Sequence, residues 1–216
     1  MAVLVGTFSG LTRFDGNRFE TFSLAEGLAN SFINALYETR DGAIWAGTRG
    51  GLARFQAGRF RIWRTEDGLK HDSVRALTED AEGLLWIGTA EGVQRFDGER
   101  FLDFPAEADP PQATVNDIVT AQDGTIWLAT SQGAHRYEAG RFQSFTKDHG
   151  LPDNRVLAIH SSPDGTLWFG TAQGLAVFDG STLQRLPLPF EVKAEVRSIA
   201  TGVDQVKWIG TAKGLV

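Results

Sequence analysis

The sequence predicts an all-β protein assembled from copies of one four-stranded antiparallel unit, and three observations support this fold class. Tryptophans recur at intervals of 41 or 40 residues, as Trp45, Trp86, Trp127, Trp168 and Trp208. Each copy joins short apolar segments rich in Val, Ile, Trp and Phe through Gly and Asp-Gly turns. No segment sustains the periodicity of an amphipathic helix, which argues against a parallel α/β sheet.

The third copy shows the predicted elements in order. Its apolar segments predict strands at 74–79, 84–89, 93–96 and 100–104. Asp-Gly at 97–98 supplies residues that tolerate the positive φ of a hairpin turn, and the same pair recurs at 41–42, 123–124 and 164–165. The run LLWIG is apolar on successive residues, which is typical of a strand covered on both faces.

A four-stranded meander repeated about every 40 residues is typical of a β-propeller, in which each sheet packs between neighbouring blades. We therefore expect a single propeller domain over residues 1–216, with about five repeats of ~41 residues. The repeat units are anchored at Leu4, Trp45, Trp86, Trp127, Trp168 and Trp208.

Two arrangements are open for these units: a closed five-bladed ring, and a piece of a larger propeller. The chain begins in the second strand of a unit and ends with another copy of that strand. In the closed ring, a first strand at 195–201 would pair with the N-terminal strands of 3–22, and 207–216 would be surplus. In the larger propeller, unpaired terminal strands would favour self-association.

The repeated Trp-x-Gly-Thr string is interpreted as scaffold rather than as a binding site. A phosphate-binding glycine loop needs a following helix N-terminus, and no helical pattern follows here. Burying a large aromatic side chain contributes a few kcal/mol, so we expect the Trp side chains to pack between blades. A binding site is then expected at positions that differ between copies.

Composition excludes several classes of function. The formal net charge of −6 and the pI near 5.2 disfavour binding to nucleic acid or to an anionic membrane surface. The absence of Cys removes disulfides, thiolate metal sites and Cys nucleophiles. No apolar run reaches the roughly 18 residues of a membrane span, and no signal peptide precedes the first repeat in this chain.

Catalytic patterns are weak. The four histidines, His71, His135, His149 and His160, occupy different repeat positions and lack metal-ligand spacing. The Gly-x-Ser-x-Gly string of a nucleophile elbow is absent. We therefore expect no catalytic residue, no metal and no cofactor, with a lyase-like propeller enzyme as an alternative.

Arginines recur at two repeat positions. A ring of these cations would suit an acidic glycan, but a forked guanidinium also ties blades together through carboxylates and carbonyls, which is the interpretation we favour. The two rows are Arg13, Arg54, Arg95 and Arg136, and Arg18, Arg59, Arg100 and Arg141.

The variable positions predict a ligand site. In a propeller, the linker that enters each blade and the turn inside Gly-Thr-x-x-Gly share the face around the central channel. Polar side chains that differ from copy to copy occupy these places, which suits a concave site with a few polar anchors. The candidates are Asn34, Arg75, Asn116 and Arg197 at strand entries, His71, Asn154 and Arg155 in the linkers, and Arg49, Glu91, Gln132, Gln173 and Lys213 in the turns.

The strings VRALTEDAEGLLWIGTAEGVQRFDGERFLDF and INALYETRDGAIWAGTRGGLARF resemble the two-component regulator propeller repeat. That repeat occurs in tandem in the extracytoplasmic sensor regions of bacterial hybrid histidine kinases. The resemblance covers essentially the whole chain. It implies a sensory propeller that binds a ligand or a protein, usually with seven blades, within a larger receptor outside the cytoplasm.

We accordingly expect a non-enzymatic recognition or sensor module that binds a carbohydrate or another small polar ligand at the channel mouth. The first alternative is a structural or protein-interaction scaffold that assembles through its terminal strands. Expected partners are a glycan or small polar ligand and a second copy of the chain, with no nucleic acid and no membrane insertion.

Overall fold

Strands dominate the computed structural model of the protein, which describes residues 3–187 and 194–215. In these residues, 22 strands form six antiparallel sheets, four with four strands and two with three. The predicted all-β propeller fold with four-stranded antiparallel blades is confirmed. The expected number of about five blades is wrong, because six are present.

The chain divides into two compact units, Met1–Asp103 and Phe104–Val216. Each unit holds three sheets. In the first unit, sheet 1 contains β1 (Val3–Gly6), β2 (Leu11–Phe14) and β3 (Phe19–Phe22). Sheet 2 contains β4 (Ile33–Glu38), β5 (Ile44–Thr48), β6 (Gly51–Gln56) and β7 (Arg59–Trp63). Sheet 3 contains β8 (Val74–Glu79), β9 (Leu85–Thr89), β10 (Gly92–Phe96) and β11 (Phe101–Leu102).

The second unit repeats this arrangement. Sheet 4 contains β12 (Val115–Thr120), β13 (Ile126–Thr130), β14 (Gly133–Glu138) and β15 (Arg141–Phe145). Sheet 5 contains β16 (Val156–Ser161), β17 (Leu167–Thr171), β18 (Gly174–Phe178) and β19 (Leu183–Leu186). Sheet 6 contains β20 (Val196–Thr201), β21 (Lys207–Thr211) and β22 (Gly214–Leu215).

Among the described residues, the linkers between sheets contain three short 3-10 helices, Leu24–Glu26, Thr65–Asp67 and Lys147–His149. No helix within residues 3–187 and 194–215 has the length and apolarity that crossing a membrane requires.

The closed five-bladed ring fails on strand pairing. β20 pairs with β21, its own neighbour in sequence, and Ala200 lies opposite Trp208. The N-terminal strands pair among themselves as a separate sheet, and 207–215, expected to be surplus, supply two strands of sheet 6. Closing a short hairpin loop costs less chain entropy than closing a long one, which favours these local pairs.

Strand bounds in the third copy agree closely with the prediction, except at the last strand. The first strand has the predicted bounds, and the next two differ by one residue at their starts. The fourth is shortened to Phe101–Leu102. The carbonyl of Asp103 accepts a hydrogen bond from the Arg95 guanidinium, and Pro105 offers no N–H, so the ladder ends early.

A threonine closes the turn between the second and third strands of every four-stranded sheet. In sheet 2, the Thr48 hydroxyl donates to the Gly51 carbonyl at 2.8 Å and accepts from the Gly50 N–H at 3.0 Å. Gly51 has a φ of 128°, and a Cβ there would lie 2.6 Å from the Trp63 carbonyl oxygen. The repeated Gly-Thr-x-x-Gly string therefore builds this turn.

The core lies between successive sheets, and the contact has a direction. In sheets 2, 4 and 5, the face that carries the repeat tryptophan, here called the Trp face, packs on the opposite face of the next sheet, here called the receiving face. In the first unit, Trp45 of sheet 2 packs with Leu85, Ile87 and Phe96 of sheet 3.

The second unit has the same core. Trp127 of sheet 4 packs with Ile159, Phe169 and Phe178 of sheet 5, and Trp168 of sheet 5 packs with Ile209 of sheet 6. Packing of the repeat tryptophans between blades is therefore confirmed at these three positions.

Candidate functional site

The Gly-Thr-x-x-Gly turns and the linkers lie at the same edge of each sheet, as predicted. In sheet 2 the backbone N–H of Arg49, in the turn, donates to the carbonyl of Phe32, the last linker residue before β4. The equivalent bond recurs in sheet 5, from the Ala172 N–H to the Arg155 carbonyl at 3.0 Å. We call this edge the turn edge; it carries the candidate residues of both units.

An aromatic and cationic stack stands on the turn edge of the first unit. The rings of Phe8 and Phe32 lie 4.3 Å apart between centroids, at an interplanar angle of 32°. The guanidinium carbon of Arg49 lies 3.5 Å from the centroid of Phe32. Phe8 is 75% exposed, so the stack presents an aromatic ring and a guanidinium to solvent.

Local structure explains why these three side chains meet. Phe8 lies in the turn of sheet 1, and Arg49 occupies the equivalent position in the turn of sheet 2. The Ile33 N–H, one residue after Phe32, donates to the Thr7 carbonyl at 3.0 Å, which holds the linker against the turn of sheet 1. Hydrogen bonds on both sides of Phe32 therefore place it between the two turns.

Two predicted strand-entry residues serve the scaffold. The Asn34 side-chain amide donates to the Val74 carbonyl at 2.8 Å, and the Asn116 amide donates to the Val156 carbonyl at the same distance. Each bond joins the first strand of one sheet to the first strand of the next. Asn34 and Asn116 thus have structural partners in the first strand of the next sheet.

The other predicted residues of the first unit are spread along the turn edge. Arg75 is exposed at the strand entry of sheet 3, one position after Val74, and Glu91 is exposed in its turn. The His71 Nδ1 accepts the Ser73 N–H at 2.8 Å, which fixes the linker. These three residues share the turn edge of sheet 3.

In the second unit, a carboxylate stands between two predicted arginines. Glu195 forms ion pairs with Arg155 and with Arg197, the latter at 2.7 Å. Hydrogen bonding to Arg197 and the charge of Arg155 lower the pKa of Glu195. The site therefore combines two partly exposed guanidinium groups with one ionised carboxylate.

The remaining predicted residues of this unit have local roles or point to solvent. The Gln173 amide donates to Asp153 at 2.8 Å, and the Asn154 side chain accepts the Lys147 N–H at 2.8 Å. Gln132 and Lys213 are exposed in their turns.

Sequence reasoning missed Phe8, Phe32 and two buried titratable groups. Among the six turns of the repeat, the turn at 7–10 is the one that carries an aromatic residue, which was the available signal for Phe8.

The first of the two missed titratable groups is Asp117, which occupies the position of the repeat alanine. Its carboxylate accepts the N–H groups of Ile118 and Ile159 at 2.9 and 3.0 Å, and burial raises its pKa to about 6.

The second missed group is His135 on β14. Its Nδ1 and the Ser144 hydroxyl lie 3.0 Å apart, whereas its Nε2 is buried without a hydrogen bond. Burial lowers the pKa of His135 to about 4, against the opposing charge of Asp109. The imidazole is therefore neutral at pH 7.

The other three histidines are engaged separately. His160 Nε2 lies 2.6 Å from the Thr201 hydroxyl, and the His149 ring accepts the Thr146 N–H at 3.1 Å, while His71 binds its own linker. Within residues 3–187 and 194–215, no group of three or more His, Asp or Glu side chains is arranged to hold a metal ion.

The repeated arginines lie at the opposite edge, where the Asp-Gly turns are. Arg54 pairs with Asp41 of its own sheet at 2.7 Å, and its guanidinium carbon lies 5.4 Å from the Trp45 ring centroid. Arg13 and Arg136 also pair with carboxylates of their own sheets. The prediction that this row ties neighbouring blades through carboxylates is therefore wrong for these three residues.

Each unit also has a small cavity at that opposite edge. One of about 230 Å³ is lined by Trp45, Arg54 and Glu79, and one of about 310 Å³ by Trp127, Arg136 and Phe178. The repeat tryptophan and the repeat arginine line both cavities, so we attribute these cavities to the packing of one blade on the next.

Three solved structures show the same fold. The extracellular domain of BT3049 from B. thetaiotaomicron, described as a hybrid two component system, matches with a TM-score of 0.82 at 21% identity over 98% of this chain and 31% of its own. The extracellular domain of BT4673 from the same organism matches with a TM-score of 0.79 at 20% identity over 99% and 30%. This chain therefore spans about a third of each domain.

A virginiamycin B lyase from Staphylococcus aureus, in a catalytically inactive form with quinupristin, has the same fold with a TM-score of 0.75. The identity is 16%, over 94% of this chain and 70% of the lyase. At such identities these likenesses show the fold alone. No curated protein sequence matches the chain.

The family model described as two component regulator propeller matches three segments, residues 27–50, 68–91 and 150–173. Each segment runs from a Gly-Leu linker through the first two strands to the Gly-Thr turn, which are the parts that bear the resemblance drawn from the sequence. That resemblance is confirmed in these three segments, which match the two-component regulator propeller model.

Proposed function

We propose that this protein is a non-enzymatic recognition module of a sensor, and that its turn edge binds a carbohydrate or another small polar ligand. The observation that carries the proposal is the stack of Phe8, Phe32 and Arg49. It occurs at one place in the repeat, between sheets 1 and 2, whereas the buried tryptophans and the paired arginines recur from blade to blade.

The chemistry of the stack suits a sugar ring. The face of an aromatic ring carries negative electrostatic potential and attracts the weakly positive C–H groups of a pyranose. A guanidinium offers several N–H donors in a fixed plane, which can bind neighbouring hydroxyls or a carboxylate. One apolar platform beside one polar anchor is the usual composition of a small-molecule site.

Exposure of Phe8 also favours a binding role. An aromatic side chain that is 75% exposed gives up most of the free energy of burial, about 2 kcal/mol for a Phe. Isolated exposed apolar residues are common on protein surfaces, but this one is stacked on a second ring with a cation above that ring. A ligand that covers Phe8 would recover the burial.

The setting of the module follows from the resemblance. Its repeats belong to two-component regulator propellers, and two of the similar structures are extracellular domains of proteins described as two component systems. We infer an extracytoplasmic location on this basis. The separate hydrogen bonds of the four histidine rings favour recognition over the alternative, a lyase-like propeller enzyme.

The test is a glycan array followed by titration calorimetry with the best glycan. Phe8→Ala and Arg49→Ala are each expected to weaken binding at least about tenfold, or about 1.4 kcal/mol. Phe19→Ala is the matched control: Phe19 is 74% exposed and its ring lies 4.5 Å from that of Phe14, in the Asp-Gly turn hairpin of the same sheet. This control should bind as the wild type does.

Arg75→Ala and Arg197→Ala test the wider edge. Both side chains are exposed, so the two variants should keep the wild-type melting temperature. Equal losses in the Arg75 and Phe8 variants would replace the local stack by a site that extends along the turn edge of the first unit. Unchanged binding in both the Phe8 and the Arg49 variants would overturn the proposal.

A further inference from the structure

The linker that enters sheet 4, residues 104–114, departs from the repeat shortly before its strand. Six residues before their first strands, sheets 2, 3 and 5 have a glycine, whereas sheet 4 has Asp109 with a φ of 51°. A positive φ is easy for glycine and disfavoured for a residue that carries a Cβ. The three glycines are Gly27, Gly68 and Gly150, with φ values of 96°, 97° and 113°. We call residues 104–114 the strap.

The strap lies along the outer edge of sheet 4. The Ala108 carbonyl accepts the N–H of Phe142, on the outermost strand, at 3.1 Å. The Phe104 ring packs edge-to-face on the rings of Tyr137 and Phe142, at 5.8 and 5.3 Å between centroids. Ala108 is 1% exposed as a result. These four residues belong to the second unit, so the contact is internal to that unit.

A second departure from the repeat lies next to the strap, at His135 of β14. In sheet 3 the equivalent residue is Gln94, which binds its linker: the side-chain amide accepts the Lys70 N–H at 2.8 Å and donates to the Gly68 carbonyl at 3.0 Å. In sheet 4, Asp109 stands in the place of Gly68, and its charge acts on His135. The two departures therefore interact with each other.

The hydrogen bonding of His135 provides for one proton on the ring. His135 is 8% exposed, its Nδ1 lies 3.0 Å from the Ser144 hydroxyl, and its Nε2 has no hydrogen-bond partner in the described part of the chain. A neutral ring with its proton on Nδ1 donates to Ser144 and leaves a lone pair on Nε2. A second proton, on Nε2, would create a buried cation whose N–H has no acceptor.

The neighbours of His135 do not offset this cost. Leu128 of β13 and Ser144 of β15 lie opposite His135 on the adjacent strands, and neither side chain titrates near neutral pH. Of the titratable groups in residues 3–187 and 194–215, Asp109 is the one whose charge acts on His135. Because Asp109 is exposed, solvent screens its attraction. Burial therefore outweighs Asp109 and lowers the pKa of His135 to about 4.

We propose that the strap is an acid-sensitive lid on sheet 4: when His135 takes up a proton, the strap leaves the outer edge of the sheet and water reaches the imidazolium. The strap is the element that yields, because Asp109 holds a disfavoured φ and Pro110 and Pro111 have no N–H to donate. The strands β13, β14 and β15 are held to each other by continuous pairing. Release exposes His135 and the backbone of Phe142.

The amide proton of Phe142 reports the strap directly, because its acceptor is the Ala108 carbonyl. With a pKa of about 4 under the strap and the ordinary value of about 6.5 once released, the released fraction should rise about 20-fold between pH 7 and pH 5. Hydrogen exchange followed by NMR gives a protection factor, which is corrected for the intrinsic exchange rate at each pH. The protection factor of Phe142 should fall by the same factor.

Three controls separate the strap from other acid effects. The Ala121 N–H binds the Thr125 carbonyl at 2.8 Å, at the opposite edge of sheet 4, and its protection factor should not change. In His135→Gln the protection of Phe142 should be equal at both pH values, because glutamine does not titrate and Gln94 occupies the same position in sheet 3. His149→Gln, in the 3-10 helix Lys147–His149 of the same unit, should keep the wild-type fall.

Three results would overturn the inference. The first is a wild-type protection factor for Phe142 that is equal at pH 7 and pH 5. The second is a fall that persists in His135→Gln. The third is a parallel fall at Ala121, which would mean that sheet 4 opens as a whole. Glycan binding at Phe8 is measured separately, on the first unit, and does not depend on this outcome.

Discussion

Replacement of Trp127 by alanine tests the central packing argument, because the chain contains a built-in comparison at Trp208. Both residues occupy the same repeat position, but Trp127 is 1% exposed and Trp208 is 48% exposed. Trp127 also contacts the rings of Phe145, Phe169 and Phe178, and its indole N–H donates to the Thr125 hydroxyl at 3.1 Å.

The expected loss follows from burial. A Trp buries about 150 to 250 Å², and at about 25 cal/mol per Å² this amounts to roughly 4 to 6 kcal/mol. Alanine retains part of the burial, and the remaining cavity adds a cost, so Trp127→Ala should lower the free energy of unfolding by about 3 to 5 kcal/mol. Trp208→Ala removes a half-exposed side chain and should cost about 1 kcal/mol or less.

Urea denaturation followed by far-ultraviolet circular dichroism measures both losses, at a protein concentration low enough to keep the chain monomeric. Trp45→Ala provides a replicate in the first unit, since Trp45 is 3% exposed. Equal losses in the Trp127 and Trp208 variants would refute the argument that the repeat tryptophan stabilises the fold through burial against the next sheet.

Three further predictions concern stability. Gly47→Ala should lower the free energy of unfolding by about 1 to 3 kcal/mol, because the new Cβ would contact Val74. Gly210→Ala should lower it by less in the same denaturation assay, because the nearest neighbour of the new Cβ would be a serine hydroxyl that can rotate away. Burial raises the pKa of Asp117 to about 6, so the folded state binds the Asp117 proton more tightly than the unfolded state does. Asp117 should therefore add about 1 to 3 kcal/mol to the free energy of unfolding as pH falls from 7 to 4. Denaturation at several pH values should show that Asp117→Ala removes this gain. His135 should have the opposite effect on the pH dependence of stability, because its pKa of about 4 in the folded state lies below the ordinary value and stability is lost as pH falls from 7 to 4. His135→Gln should abolish this loss. A pH profile that does not change in the His135→Gln variant would contradict the lowered pKa of His135.

Sequence patterns predicted the hairpin turns well because they depend on local chemistry. The turn at 202–206 forms although its Asp-Gly is replaced: the Gly202 N–H donates to the Val206 carbonyl at 2.8 Å, and Gln205 takes the positive φ of 64°. A missing Asp-Gly therefore did not remove the strand pair, because the flanking apolar segments still favour pairing.

The candidate site was only partly predictable. The shared edge of turns and linkers followed from strand order, and Arg49 was identified there from its variable position. Asn34 and Asn116 were expected to face a ligand, but both bind a backbone carbonyl of the neighbouring sheet. That carbonyl lies 40 residues away in sequence, and no local pattern indicates its position.

The sequence by itself determined the repeat, the strand order within each sheet and the scaffold role of the repeat tryptophans, because all three depend on residue spacing and burial within about 40 residues. The tertiary structure decided how many sheets form and which side chains meet at the turn edge. The segment 196–201 could pair with 207–211 across a short loop or with 3–22 across a long one. It pairs with 207–211, because the short loop costs less chain entropy, and composition alone does not predict this outcome. The stack of Phe8, Phe32 and Arg49 joins residues from two sheets and the linker between them, so only the packing of one sheet on the next brings them together.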